Sequence, residues 1–148
     1  MRAVVQRVNR AEVRIDGRVV GKIARGLLVL LGVAAGDSEA DATHLVDRIV
    51  GMRIFADAAG KMNLSLAQAE GALLVVSQFT LIADTNSGRR PSFIKAAEPE
   101  EARRLYQHFL SLARTRGAKV EAGEFGATME VELINDGPVT IILDSREK

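Results

Sequence analysis

A chain of 148 residues is one domain's worth of sequence, and its 47% hydrophobic content supplies a core that needs no covalent staples. That composition excludes intrinsic disorder, and the absence of cysteine excludes disulfides, thiolate metal sites and a cysteine nucleophile. With 20 basic against 19 acidic side chains the net charge is +1, so any surface for nucleic acid has to be local.

Met1-Arg2-Ala3-Val4-Val5-Gln6-Arg7 puts charge and an amide where a secretion signal needs an unbroken apolar run, so we expect a soluble, cytoplasmic, single-domain protein over 1–148. Val4, Val5 and Val8 open a strand that Ala11, Val13 and Ile15 continue in alternation with Glu12, Arg14 and Asp16, the period of a half-buried antiparallel strand. Asp16-Gly17 predicts a hairpin turn, because both central residues of a type I′ turn take positive φ. Val19, Val20 and Ile23 return. Leu27-Leu28-Val29-Leu30-Leu31 then predicts a central strand buried on both faces, too short to span a bilayer.

Asp37 or Ser38 caps a helix predicted over 38–53, where Ala42, Leu45, Val46, Ile49 and Val50 recur at helical spacing. Within 55–70 we expect a turn at Phe55 to Gly60 and a loop at Asn63-Leu64-Ser65. Leu73-Leu74-Val75-Val76 is a second buried strand, ending at Ser77-Gln78-Phe79-Thr80-Leu81. A polar loop runs from Ala83 to Ala97. Pro99 starts a helix whose stripe is Ala102, Leu105, Tyr106, Phe109, Leu112 and Ala113, and Gly117 ends it. Met129, Val131 and Leu133, the turn Asn135-Asp136-Gly137-Pro138, and Val139, Ile141 and Leu143 predict a closing hairpin. About seven strands with two inserted helices argue a β-rich α+β domain rather than a parallel doubly wound sheet.

The usual chemical motifs are missing: there is no Lys-Ser/Thr phosphate loop, no GxGxxG and no HExxH. His44 and His108 fall on predicted helices at exposed or edge positions, and nothing in the sequence brings Ser77, His108 and Asp136 together as a triad. Ser77-Gln78-Phe79-Thr80 stands out because polar groups abruptly follow an apolar strand. Such groups either cap the next turn or line a site, where hydroxyls, an amide and free N–H groups suit an ester carbonyl and its oxyanion. Arg89 and Arg90 with Lys95, and Arg103, Arg104, Arg114 and Arg116, are solvated faces or local phosphate patches.

Val75 to Leu81, Gly88-Arg89-Arg90-Pro91-Ser92-Phe93 and Asn135 to Thr140 together closely resemble the D-aminoacyl-tRNA deacylase family. Met1 to Val8 and Gly60 to Ser65 are also similar to it, and the likeness runs in register to about Ser145. The resemblance implies a β-rich, barrel-like homodimer with active sites at the subunit interface. It would hydrolyse the ester between a D-amino acid and the terminal ribose of tRNA, with no metal or cofactor and no membrane or DNA partner. Ser77, Gln78, Phe79 and Thr80 map onto the family's catalytic segment. Gly137 and Pro138 map onto a Gly-cis-Pro motif that enters the partner's pocket.

The resemblance also implies that the Phe79 and Thr80 N–H groups hold the oxyanion while the substrate 2′-OH orients water. Rejection of L-substrates is then steric. Once the ester and ammonium are fixed, enantiomers differ only in where the side chain points, and a rigid wall at Gly137-Pro138 excludes one of them. Glycine carries no side chain to exclude, so glycyl-tRNA is an expected substrate. Arg7 is expected to brace the turn through its carbonyls, with Phe125 and Met129 packed around it and Val139 and Thr140 supporting it. Arg89, Arg90 and Lys95 are expected tRNA contacts. Two other readings are a silent RNA-binding module and an editing hydrolase for a mischarged L-residue. Turnover on paired D- and L-substrates separates them.

Overall fold

The computed structural model describes residues 1–147. The chain runs β1 (Arg2–Ile15), β2 (Arg18–Ile23), β3 (Gly26–Gly32), α1 (Glu39–Gly51), β4 (Phe55–Ala56), β5 (Met62–Leu64), β6 (Ala72–Ser77), a 3-10 turn (Phe79–Ile82), α2 (Pro99–Thr115), β7 (Lys119–Ala122) and β8 (Glu130–Asp144). The type I′ signal is met, with φ of 49° at Asp16 and 78° at Gly17.

Strand β1 organises the sheet. Its first half pairs antiparallel with β3, its second half with β2, and its other edge with β8. Beyond β3 the sheet turns parallel, through β6 to β7, with α1 and α2 in the crossovers. The barrel nearly closes where β2 meets β7. A Cβ on Gly21 would lie 2.6 Å from the Ala122 carbonyl oxygen, so only glycine allows that approach.

The unbroken apolar runs of β3 and β6 face two cores. Leu27, Val29, Leu31, Leu73 and Val75 pack toward the helices, with Leu45, Ile49, Leu105 and Phe109. Leu28, Leu74 and Val76 point into the barrel against Val8, Val13 and Ile23. Tyr106 is buried in the helix-side core and donates its hydroxyl to the Val75 carbonyl at 2.9 Å. That burial pushes the Tyr106 phenol up to about 12. No helix among the described residues is long and apolar enough to cross a membrane.

Three expectations are corrected. The closing hairpin is one strand, β8, which pairs with β1 from Arg14↔Glu130 to Arg2↔Asp144. The Gly137–Pro138 turn is an excursion that leaves the ladder after Asn135 and rejoins it at Thr140, because both flanks find the same long partner. Turn chemistry specifies a local bend but not whether the chain reverses afterwards. Within 55–70 the ends of the expected turn and loop form a small hairpin: Phe55 and Ala56 are β4, and Asn63 and Leu64 lie in β5, paired antiparallel. The short strand β7 is an addition to those expected; its alternation of exposed Lys119 and Glu121 with half-buried Val120 and Ala122 runs for only four residues.

Candidate active site

Strand β6 is buried until Ser77, where the chain leaves the barrel. The Gln78 N–H still reaches back to the Leu31 carbonyl at 2.8 Å, after which the backbone winds into the 3-10 turn. Leu81 and Ala83 donate to the Gln78 and Thr80 carbonyls, both at 3.2 Å. The N–H groups of Phe79 and Thr80, in the first turn, find no backbone acceptor among the described residues. Phe79 stays 57% exposed, and its ring meets that of Phe93 edge-on with centroids 4.9 Å apart. The Thr80 hydroxyl accepts a hydrogen bond from the Gln78 amide.

Ser77, Gln78 and Phe79 line an open cavity of about 450 Å³. Its other walls are Val76, Ala96 and Ala97 from the loop, Pro99 and Ala102 from the start of α2, and the segment Phe125 to Val131 ahead of and within β8. Phe125 is held between Tyr106, at a centroid distance of 5.7 Å, and the Arg103 guanidinium, 4.9 Å from its ring centre. Phe125 and Met129, expected around the Gly137–Pro138 turn, both line this cavity. The small lining residues Ala96, Ala97, Ala102 and Ala127 were not anticipated, because a residue whose contribution is vacant space leaves no chemical signature.

Gly137 and Pro138 are exposed, and neither lines the cavity of its own chain. Their peptide bond is cis, and Gly137 has φ of 127°. Arg7 does brace the excursion, although not through the carbonyls of the pair. Its Nε donates to the Asp136 carbonyl at 3.3 Å and lies 3.1 Å from the Asp136 carboxylate, while Nη1 donates to the Ile54 carbonyl at 2.6 Å. Asn135 closes the base, accepting from the Val139 N–H and donating to the Thr140 hydroxyl, both at 3.1 Å. Asp136 is thereby engaged with Arg7, and no hydrogen bond links it with Ser77 or His108.

The loop carrying Arg89 and Arg90 is pinned by reciprocal 2.8 Å hydrogen bonds between the backbones of Asp84 and Ser92. Both arginines are exposed and free of ion pairs among the described residues, whereas Lys95 is 3.2 Å from the Asp84 carboxylate. The Asn86 N–H, and then Lys95, hold the Asp84 carboxyl below its ordinary range.

The family model described as D-Tyr-tRNA(Tyr) deacylase matches residues 4–144. A curated D-aminoacyl-tRNA deacylase of Dehalococcoides mccartyi (strain CBDB1) is 61% identical over 148 residues, covering 100% of this chain and 97% of that protein. The corresponding protein of Anaeromyxobacter dehalogenans is 60% identical over 146 residues, covering 99% and 98%. Among solved structures, a c-Myc DNA unwinding element binding protein superposes with a TM-score of 0.92 at 41% identity, covering 97% of this chain and 98% of that one. A probable eukaryotic D-amino acid tRNA deacylase shares the fold at a TM-score of 0.84 and 18% identity, covering 96% and 97%.

Proposed function

The chain belongs to the D-Tyr-tRNA(Tyr) deacylase family and is a hydrolase of D-aminoacyl-tRNA, and from that premise we propose how its own residues divide the work. The cavity of Ser77, Gln78 and Phe79 receives the 3′-terminal adenosine and its aminoacyl ester. The Phe79 N–H, helped by that of Thr80, receives the charge that develops on the carbonyl oxygen. A preorganised donor of this kind is worth about 3–4 kcal/mol in the transition state. Attack comes from water oriented by the ribose 2′-OH, so no side-chain nucleophile is needed, and Thr80 contributes its backbone.

Handedness is filtered by a second copy of the chain. The carrying observation is the separation of two parts within one protomer: the open cavity lined by Ser77, Gln78 and Phe79, and the exposed Gly137–Pro138 pair, which contributes nothing to that cavity. In a homodimer the pair of one protomer enters the cavity of the other, its carbonyls accept the substrate ammonium, and its backbone excludes an L side chain. The outer edge of β8, unpaired among the described strands and carrying exposed Ile134 and Ile142, suits burial against that copy. Arg89 and Arg90 contact the tRNA, and the enzyme works in the cytoplasm, where its substrate forms.

Deacylation of D-tyrosyl-, L-tyrosyl- and glycyl-tRNA at substoichiometric enzyme tests the reading. We expect turnover of the D- and glycyl-esters with the L-ester spared. Inert glycyl-tRNA beside rapid D-tyrosyl turnover overturns the purely steric filter. Brisk L-tyrosyl hydrolysis overturns chiral selection altogether.

A further inference from the structure

Four arginines on or at the end of α2 differ sharply in what they touch. Arg104 is 2.7 Å from Glu101 and 3.0 Å from Glu39. Arg116 is 2.8 Å from Asp47, and Arg114 donates to the Val120 carbonyl at 3.4 Å. Arg103 makes no hydrogen bond or ion pair among the described residues, although Glu100 lies one helical turn away and Glu124 adjoins Phe125 in sequence. It lies instead 4.9 Å over the ring of Phe125, a wall of the active-site cavity, and follows Ala102, another wall residue.

We propose that Arg103 is a phosphate-binding residue at the rim of this cavity, taking the phosphodiester that leads out of the terminal nucleotide; this rests on the aminoacyl-tRNA reading above. An aromatic face orients a guanidinium without consuming its N–H donors, which remain in a planar fork matched to two phosphate oxygens. A cavity of about 450 Å³ has room for a terminal nucleoside and not for the strand behind it, so the first phosphate leaves across the rim. Phe125 then has two functions, closing the pocket on one side and aiming Arg103 on the other.

The test compares wild type with Arg103→Met, which keeps an apolar cover on Phe125, and Arg103→Lys, which keeps the charge without the fork. Each is assayed on D-tyrosyl-tRNA and on the D-tyrosyl ester of adenosine, which has no phosphate. For Arg103→Met we expect KM on tRNA to rise roughly tenfold with kcat little changed, an intermediate rise for Arg103→Lys, and unaltered kinetics on the adenosine ester. Binding of an uncharged acceptor-stem minihelix ending in CCA is followed against salt, and the slope of log K on log salt falls by about 0.7 in Arg103→Met. Equal losses on both substrates, or an unchanged salt slope, overturn the proposal. If wild type fails to turn over D-tyrosyl-tRNA, the activity reading fails, and the minihelix slopes still decide the role of Arg103.

Discussion

The Arg7 guanidinium and the Asp136 carboxylate stand 3.1 Å apart across the break where β8 leaves its pairing with β1. The same Arg7 donates to the carbonyls of Asp136 and of Ile54, so one half-buried cation ties the exposed Gly137–Pro138 pair to two parts of the fold. An excursion that projects beyond the sheet would otherwise be a loop free to yield. With Arg7 at its root and Asn135 across its base, it holds a fixed backbone toward solvent. A steric filter needs that property.

Replacing Arg7 by Met should therefore loosen the filter before it impairs the chemistry. We expect a stability loss of about 1–2 kcal/mol by urea unfolding, modest because Asp136 is partly exposed. Hydrolysis of D-tyrosyl-tRNA should persist while L-tyrosyl-tRNA becomes measurably cleaved. An unchanged D/L ratio in the folded variant would separate the brace from selection.

Gly137→Ala should cost more than its size suggests. A Cβ there would lie 2.8 Å from Val139 Cγ2 and 3.2 Å from Arg7 Nη2, at a φ of 127° that L residues rarely adopt. Strain of about 1–3 kcal/mol would be relieved by displacing the excursion. The measurement is the ratio of D- to L-tyrosyl-tRNA hydrolysis, expected to fall together with D-activity.

Thr80→Ala retains the N–H and should keep activity within about tenfold of wild type, whereas Phe79→Pro deletes a donor and should lower kcat by about 10²–10³. Proline is accepted at the first position of a helical turn, which is where Phe79 stands. Phe79→Ala controls for loss of the ring. Collapse of Thr80→Ala to background with substrate binding intact would instead assign the hydroxyl as nucleophile.

Tyr106→Phe removes the bond to the Val75 carbonyl, which still accepts from the Gly123 N–H at 3.2 Å, so the loss should be only about 0.5–1.5 kcal/mol at neutral pH. The sign with pH follows from burial. The folded phenol is raised to about 12, so its contribution is complete below the unfolded value near 10 and is lost as pH rises through 12. Thermal unfolding of the two proteins between pH 8 and 12 should show their difference shrinking at the alkaline end. A constant gap would contradict the buried assignment.

Residue order alone determined the elements whose signals are local: the type I′ turn at Asp16-Gly17, the two helices, and the doubly buried runs Leu27–Leu31 and Leu73–Val76. It also marked Ser77 to Thr80 and Gly137-Pro138 as the conspicuous polar and turn segments, because a polar group at the end of an apolar strand conflicts with its surroundings. Tertiary structure decided the rest. It turned an apparent closing hairpin into one strand with an excursion, since both flanks pair with β1. It placed Phe125 and Met129 in the Ser77 cavity and left Gly137 and Pro138 outside the cavity of their own chain. It also distinguished Arg103 from Arg104, Arg114 and Arg116, which in sequence are equivalent charges on one helix. Local turn, strand and helix preferences are set over a few residues, whereas which strand a segment pairs with, and which arginine lies over the Phe125 ring, depend on groups distant in sequence that only folding brings together.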